Sequence, residues 1–205
     1  MNATTANHPF IVFAGSRGGM EALSRIVHHF PADFPATIAV VLHTHESSPR
    51  YLAKILGDHT PLRVAYAAEG DEFLSGQIFV APPGAHLVVR PSRIFGLDHG
   101  PKVNFTRPAA DCLFISAAHV MGAQVIGVVL TGGDGDGTQG LKEIKKHGGM
   151  SVVQSPADAQ VPSMPINAII QDSPDHIVML DEMGPLLKRL VEAQSTKQSW
   201  AATAL

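Results

Sequence analysis

Two short apolar runs constrain this chain more than any other feature in it. Residues 37–42 (TIAVVL) and 124–130 (QVIGVVL) are dominated by Val, Ile and Leu, and turn-forming residues bound both. Neither alternates polar with apolar, so neither reads as a strand with one wet face. A strand buried on both faces has this pattern. Such strands belong to a mainly parallel sheet covered by helices on either side, because parallel neighbours need long crossover connections. Both runs are far too short to span a bilayer, which takes about 20 apolar residues.

The remaining pattern supplies the crossovers. Residues 10–14 form a first apolar strand that ends at Gly15-Ser16-Arg17-Gly18-Gly19. Met20, Leu23, Ile26, Val27 and Phe30 then recur at helical spacing, and Pro31, Asp33 and Pro35 end that helix before the strand at 37–42. Strand, turn, helix and strand imply a right-handed crossover between parallel neighbours. A second helix is expected after Ser47-Ser48-Pro49, through 51–56 to Gly57-Asp58, with another strand at 62–65. Between Gly76 and Asp98, runs at 77–81, 86–90 and 93–97 are separated by Pro82-Pro83-Gly84 and Pro91-Ser92. They read as an antiparallel hairpin inserted in the α/β order. A helix at 108–122, the strand at 124–130, a glycine-rich loop and a helix to about 146 follow. A short strand at 151–154, an amphipathic helix at 180–191 and a frayed polar tail complete the reading. No repeat or linker interrupts it, so one domain is expected, with a core from about 10 to 191 and flexible termini.

Composition excludes several functional classes. With 45% hydrophobic and 16% charged residues, the 205-residue chain can build one sizeable core. A net charge of -3 gives no basic footprint for nucleic acid. The single cysteine, Cys112, cannot form an internal disulfide and reads as core packing, which favours a reducing compartment. The N-terminal MNATTANHPF lacks the basic-then-apolar order of a secretory signal. A cytoplasmic protein that neither inserts into membranes nor binds nucleic acid is expected.

The candidate chemistry lies where strands end. Glycines around Ser16 let a tight turn aim peptide N–H groups at a ligand, at the start of a helix. The spacing is not that of a dinucleotide fingerprint, and no Walker lysine follows. Ser16 reads either as a helix cap or as a nucleophile. His43 ends the second strand, which places it on the rim where open α/β sheets bind ligands. A serine hydroxyl needs an adjacent base, and an imidazole supplies one. His45 is a rival base, directed the other way if the strand continues. The third loop, Thr131-Gly132-Gly133-Asp134-Gly135-Asp136-Gly137, offers a carboxylate to orient an imidazole and backbone N–H groups for an oxyanion. Its aspartates are equally suited to capping the next helix. His43, His45, Asp134 and Asp136 also have the chemistry of divalent-metal ligands, so a metal-dependent hydrolase is a further reading. The order Ser, His, Asp and the Ala14 two residues before Ser16 do not fit the α/β-hydrolase elbow.

Taken in order, these motifs resemble the catalytic domain of the chemotaxis protein-glutamate methylesterases. The resemblance runs from Ile11 to about Leu190 and rests on Ala14-Gly15-Ser16-Arg17-Gly18-Gly19, Leu42-His43, Ala81-Pro82-Pro83-Gly84-Ala85-His86, Arg107-Pro108-Ala109-Ala110-Asp111, residues 130–137 and Ser163-Met164-Pro165. It implies a three-layer, doubly wound α/β fold with a mainly parallel seven-stranded sheet and an inserted antiparallel hairpin. It implies Ser16 as nucleophile, His43 as general base, Asp136 as orienting carboxylate, and the N–H groups of Arg17 and Gly133 as oxyanion donors. Arg107 is expected either to bind a substrate carboxylate or to start a helix, and Met164 to shape the pocket wall. The implied reaction hydrolyses γ-glutamyl methyl esters on chemoreceptors, releasing methanol, with glutamine deamidation beside it. No metal or organic cofactor is implied.

The chain departs from the family pattern at several points. Gly133-Asp134 stands where Met-Gly is usual, Arg17 where a small residue is usual, Leu42 where glutamine is, and Ala109-Ala110 where Ser-Val is. A catalytic domain standing without the family's receiver domain is expected. The altered rim leaves a second class of function open, a non-catalytic binding or regulatory module that keeps the fold. His28 and His29 read as helix-end residues, and His86 and His99 as surface residues of the hairpin.

Overall fold

The computed structural model describes residues 8–203, with side chains to residue 196. Most of the N-terminal segment, read above as flexible and lacking a signal, lies outside the described residues.

Nine strands and six α-helices follow one another in the described chain. The chain begins with β1 (Phe10–Gly15), α1 (Gly19–Val27), β2 (Thr37–Leu42), α2 (Leu52–Gly57), β3 (Arg63–Tyr66) and β4 (Gln77–Val80). It continues with β5 (His86–Arg90), β6 (Ile94–Asp98), α3 (Ala110–Met121) and β7 (Val125–Val129). It ends with α4 (Thr138–Lys146), β8 (Met150–Gln154), α5 (Ser163–Asp172), β9 (His176–Val178) and α6 (Leu180–Thr203). Seven strands form one sheet in the order β3-β4-β2-β1-β7-β8-β9, every pairing parallel. From β1 the sheet grows through β2 on one side and β7 on the other, which is the switch point at which such sheets bind ligands.

Alternation along the central strands divides two cores. Ile11, Phe13, Ile38, Val40 and Val128 face α1, α2 and α6, meeting Leu23, Ile26, Leu56, Met183 and Leu187. Phe10, Val12, Ala39, Val41 and Val129 face the other way, onto Leu113 and Phe114 of α3, Leu141 and Ile144 of α4, and Met164 and Ala168 of α5. This is the three-layer, doubly wound arrangement expected. The period of two in the strands puts successive side chains on opposite faces, so an uninterrupted apolar run is needed to fill both layers.

The structure differs from the sequence reading at four elements. Residues 77–80 are wholly buried and join the parallel sheet as β4, so the antiparallel hairpin is β5 and β6 alone, paired from His86↔Asp98 to Arg90↔Ile94. Helix α5 was hidden by Pro162 and Pro165, yet Pro165 falls in the first turn, where a missing N–H costs nothing. Strand β9 has only three residues and sits at the sheet edge. Helix α6 runs on to Thr203 instead of fraying after residue 191. His86 is not a surface residue: it is 1% exposed, accepts the Ala109 N–H at Nδ1 (3.1 Å) and donates from Nε2 to the Pro101 carbonyl (3.0 Å). It ties the end of the hairpin to the start of α3.

Candidate active site

Strands β1 and β2 end in register, Gly15 opposite Leu42, so Ser16 and His43 leave adjacent strands side by side. The backbone joins three loops at this rim. The His43 N–H donates to Gly15 O (3.0 Å), and the Ser16 N–H donates to Thr131 O (3.0 Å). After Ser16 the chain makes a turn closed by the Gly19 N–H on Ser16 O (2.9 Å). Gly18, at φ 79 and ψ -10, holds the position of a type II turn that demands positive φ. Gly132 lets the third loop pass directly over Ser16: a Cβ there would lie 3.0 Å from the Ser16 Cβ and 1.9 Å from the Met164 sulfur. The amide N–H groups of Arg17 and Gly133 meet no acceptor among the described residues.

The imidazole of His43, 11% exposed, lies between two carboxylates. Its Nε2 is 2.7 Å from Asp136 Oδ2 and its Nδ1 is 3.1 Å from Asp134 Oδ2. Asp136 is fully buried and accepts the first N–H groups of α3, from Ala110 (2.5 Å) and Asp111 (3.0 Å), together with the Asn104 amide (3.0 Å). A helix N-terminus is a favourable place for a buried negative charge, since its N–H groups lack partners and its dipole is positive there. Asn104 also donates to Asp111 (2.8 Å), whose other oxygen accepts the Gly140 N–H (2.8 Å). The Asp136 carboxylate is thus fixed from α3 and the loop before it, and Asp111 beside it is fixed from α4.

These contacts set the protonation states. Burial would lower the His43 pKa, but the hydrogen bonds and charges of Asp134 and Asp136 outweigh it and raise it to about 9. Burial pushes the Asp136 carboxyl up, and His43 with the Ala110 and Asp111 N–H groups overcomes this, holding it below the usual carboxylate range. Asp134 is likewise held low, by His43 and the Asp136 N–H against its own burial. At neutral pH the ring is therefore an imidazolium with both N–H groups engaged. No hydrogen bond joins the Ser16 hydroxyl to His43 among the described residues.

A profile of the CheB methylesterase family matches residues 11–187. The chain belongs to the CheB methylesterase family. It is 38% identical over 184 residues to a Leptospira interrogans protein that carries the name protein-glutamate methylesterase/protein-glutamine glutaminase, covering 90% of this chain and 95% of that one. The Myxococcus xanthus protein-glutamate methylesterase FrzG is 36% identical over 185 residues, covering 90% of this chain and 55% of FrzG. The crystal structure of the Thermotoga maritima CheB methylesterase catalytic domain superposes with a TM-score of 0.85 at 31% identity, covering 90% of this chain and 99% of that one.

Against the CheB pattern, the remaining site residues sort clearly. Asp134 is the side chain that occupies the second imidazole nitrogen. Arg17 is exposed at the rim. Arg107 lies ahead of α3, which begins at Ala110. Its guanidinium donates to the carbonyls of His99 (3.0 Å) and Gly100 (2.7 Å) and pairs with Glu46 (3.3 Å). Met164 is fully buried beneath Gly132, its sulfur filling the space that a Cβ at Gly132 would need. His45 is exposed and bonded to Ser47 (2.8 Å). Asp134 and Asp136 lie at opposite nitrogens of the ring, so the four residues considered as a metal set do not converge on one point. Among the described residues, His119, Glu143 and His147 do have ligand atoms within 4.8 Å of one another, toward the far end of α3, but Glu143 is already engaged by Lys146 (3.1 Å). Burial, with the charges of Asp136 and Asp111, pushes the Cys112 thiol up to about 11, so it is no nucleophile at neutral pH.

Sequence reasoning missed Asn104 and gave Asp111 no role. Asp111 had a signal, an acidic residue in the first turn of a helix beside the glycine loop. Asn104 had none beyond its tolerance of the left-handed region, where it sits at φ 50. Ser16 also lines an open cleft of about 780 Å³ that runs past Met20, Arg25, His28, Ile55 and His59. No helix among the described residues is long and apolar enough to cross a membrane.

Proposed function

We propose that this chain is a serine hydrolase that removes methyl groups from glutamate γ-esters of a chemoreceptor-like signalling protein in the cytoplasm. The observation that carries this reading is the placement of Ser16 and His43 as the first residues beyond two hydrogen-bonded parallel strands, with a buried carboxylate 2.7 Å from the imidazole. The names of the relatives support both the ester and the amide substrate class.

In the working form, neutral His43 donates its Nε2–H to Asp136 and takes the Ser16 proton at Nδ1. The Ser16 oxygen attacks the γ-carbonyl, and the free N–H groups of Arg17 and Gly133 receive the developing oxyanion. His43 returns the proton to the departing methoxide, giving methanol and an acyl-enzyme. Water, deprotonated by the same imidazole, then releases the glutamate. A glutamine amide would follow the same path with ammonia as leaving group. Asp136 stabilises the imidazolium formed in each half-reaction. The cleft that opens on Ser16 admits the partner segment, and no step calls for a metal or organic cofactor.

The test is release of labelled methanol from methylated receptor cytoplasmic fragments, with and without chelator. Release by the wild type, unaffected by chelator and abolished by Ser16→Ala, is expected. One observation favours a second reading, a non-catalytic module: both imidazole nitrogens are taken by carboxylates. A wild type silent from pH 7 to 10 would establish that reading in place of the first.

A further inference from the structure

A general base needs one nitrogen with a free lone pair aimed at the hydroxyl. In this site Asp136 holds Nε2, so Nδ1 is the nitrogen left for Ser16, and Asp134 Oδ2 stands on it at 3.1 Å. The contact does not depend on a loose loop. Asp134 Oδ1 accepts the Asp136 N–H (3.0 Å), and its carbonyl accepts the Asn167 amide (2.9 Å), so the backbone is held from both sides. The carboxylate itself is 40% exposed, so an outward swing costs it the His43 contact and the Asp136 N–H but leads into solvent without moving the backbone.

We propose that Asp134 is a latch on the general base: it occupies the nitrogen that must receive the Ser16 proton, and turnover begins only when its carboxylate swings away. This rests on the serine-hydrolase reading and adds a positioning residue that acts through His43. The latched state is an ion-pair sandwich, and its strength depends on the ring being charged. The other charged groups around the ring are spoken for. Asp111 shares Asn104 with Asp136, Glu46 pairs with Arg107, and His45 is bonded to Ser47. Arg17 is exposed on the rim. Asp134 and Asp136 are thus the groups that decide the charge of His43, and only Asp134 can leave without unburying a carboxylate.

The consequence is a hydrolase that is slow at neutral pH and opens toward alkaline pH. With His43 titrating at about 9, only about 1% of the rings are neutral at pH 7. Without Asp134 the ring keeps Asp136 but loses one of the two carboxylates that raise it, so it titrates lower and a larger share is neutral at pH 7. A fall of more than one pH unit in Asp134→Ala should raise Ser16 reactivity at pH 7 by about tenfold or more, and the two proteins should agree within about twofold at pH 10. Asp134→Asn removes the charge while an amide oxygen still accepts the Asp136 N–H, so it separates the latch from the turn.

Two measurements decide the matter on the full chain. The first is an NMR pH titration of the His43 ring in wild type, Asp134→Ala and Asp134→Asn. A titration near 9 that falls by more than one pH unit in both variants supports the latch, and an unchanged midpoint overturns it. The second is the pH dependence of Ser16 phosphonylation by a fluorophosphonate, in which the serine oxygen bonds to phosphorus, fluoride leaves and His43 takes the proton. A profile that moves to lower pH in Asp134→Ala is expected. Identical profiles overturn the latch and leave the hydrolase reading standing. If Ser16 is unreactive in every protein at every pH, the hydrolase reading fails, while the ring titration still decides whether Asp134 controls His43.

Discussion

Replacing His43 by glutamine should flatten the alkaline side of the stability profile by an amount that the site geometry sets. In the unfolded chain the imidazole titrates near 6.5, and in the folded chain Asp134 and Asp136 raise it to about 9. Between those values the folded protein holds a proton that the unfolded chain has released. The stabilisation is complete below about pH 6.5 and is lost as pH rises through about 9. A gap of about 2.5 pH units at 1.36 kcal/mol each gives about 3 kcal/mol, with little reduction by solvent because the ring is only 11% exposed. The two carboxylates contribute in another window. Their folded values lie below the ordinary range, so their stabilisation is present at neutral pH and is lost only as pH falls through the acid range. Urea unfolding of wild type and His43→Gln at pH 6 and pH 9.5 isolates the imidazole, because every other group is common to both. The wild type should lose about 3 kcal/mol more than the variant across that interval. Equal losses would show that the ring is not held between charged carboxylates in solution, and the account of the site would fall with it.

Two glycines offer independent checks on the packing that supports the site. Gly140→Ala gains about 1 kcal/mol of helix propensity, yet its Cβ would lie 2.2 Å from Phe114 Cβ where α3 crosses α4, and overpacking costs about 1–3 kcal/mol. A lower urea midpoint is expected, and a higher one would refute the close approach of those helices. Gly132→Ala would place a methyl 1.9 Å from the buried Met164 sulfur and 3.0 Å from the Ser16 Cβ. Methanol release should fall further than the melting temperature alone accounts for, since the displaced loop carries both the Gly133 donor and Asp134; a variant with wild-type kcat would argue against that coupling.

The parts of the fold that were legible in the sequence are those written in periodicity. Residues 10–15, 37–42 and 125–129 had to be buried on both faces because they carry no polar alternation, and each is wholly buried. Helix α5 was not legible because Pro165 reads as a breaker unless its place in the first turn is known, and β9 because three residues carry no period. The partners of Arg107 were not legible for the same kind of reason: nothing local announces that the carbonyls of His99 and Gly100 will meet its guanidinium.

By itself the sequence determined a parallel sheet covered on both faces and the three loops where a hydroxyl, an imidazole and carboxylates gather, since burial pattern and glycine placement are local properties of the chain. Only the tertiary structure decided what those groups do to one another. Asp134 and Asp136 are two residues apart in the same loop, but one is buried on the N-terminus of α3 and the other is half-exposed at the opposite edge of a ring more than ninety residues away in the chain. The direction of a side chain depends on the loops and helices that pack around it, and that direction is what makes one carboxylate an orienting partner and the other a latch.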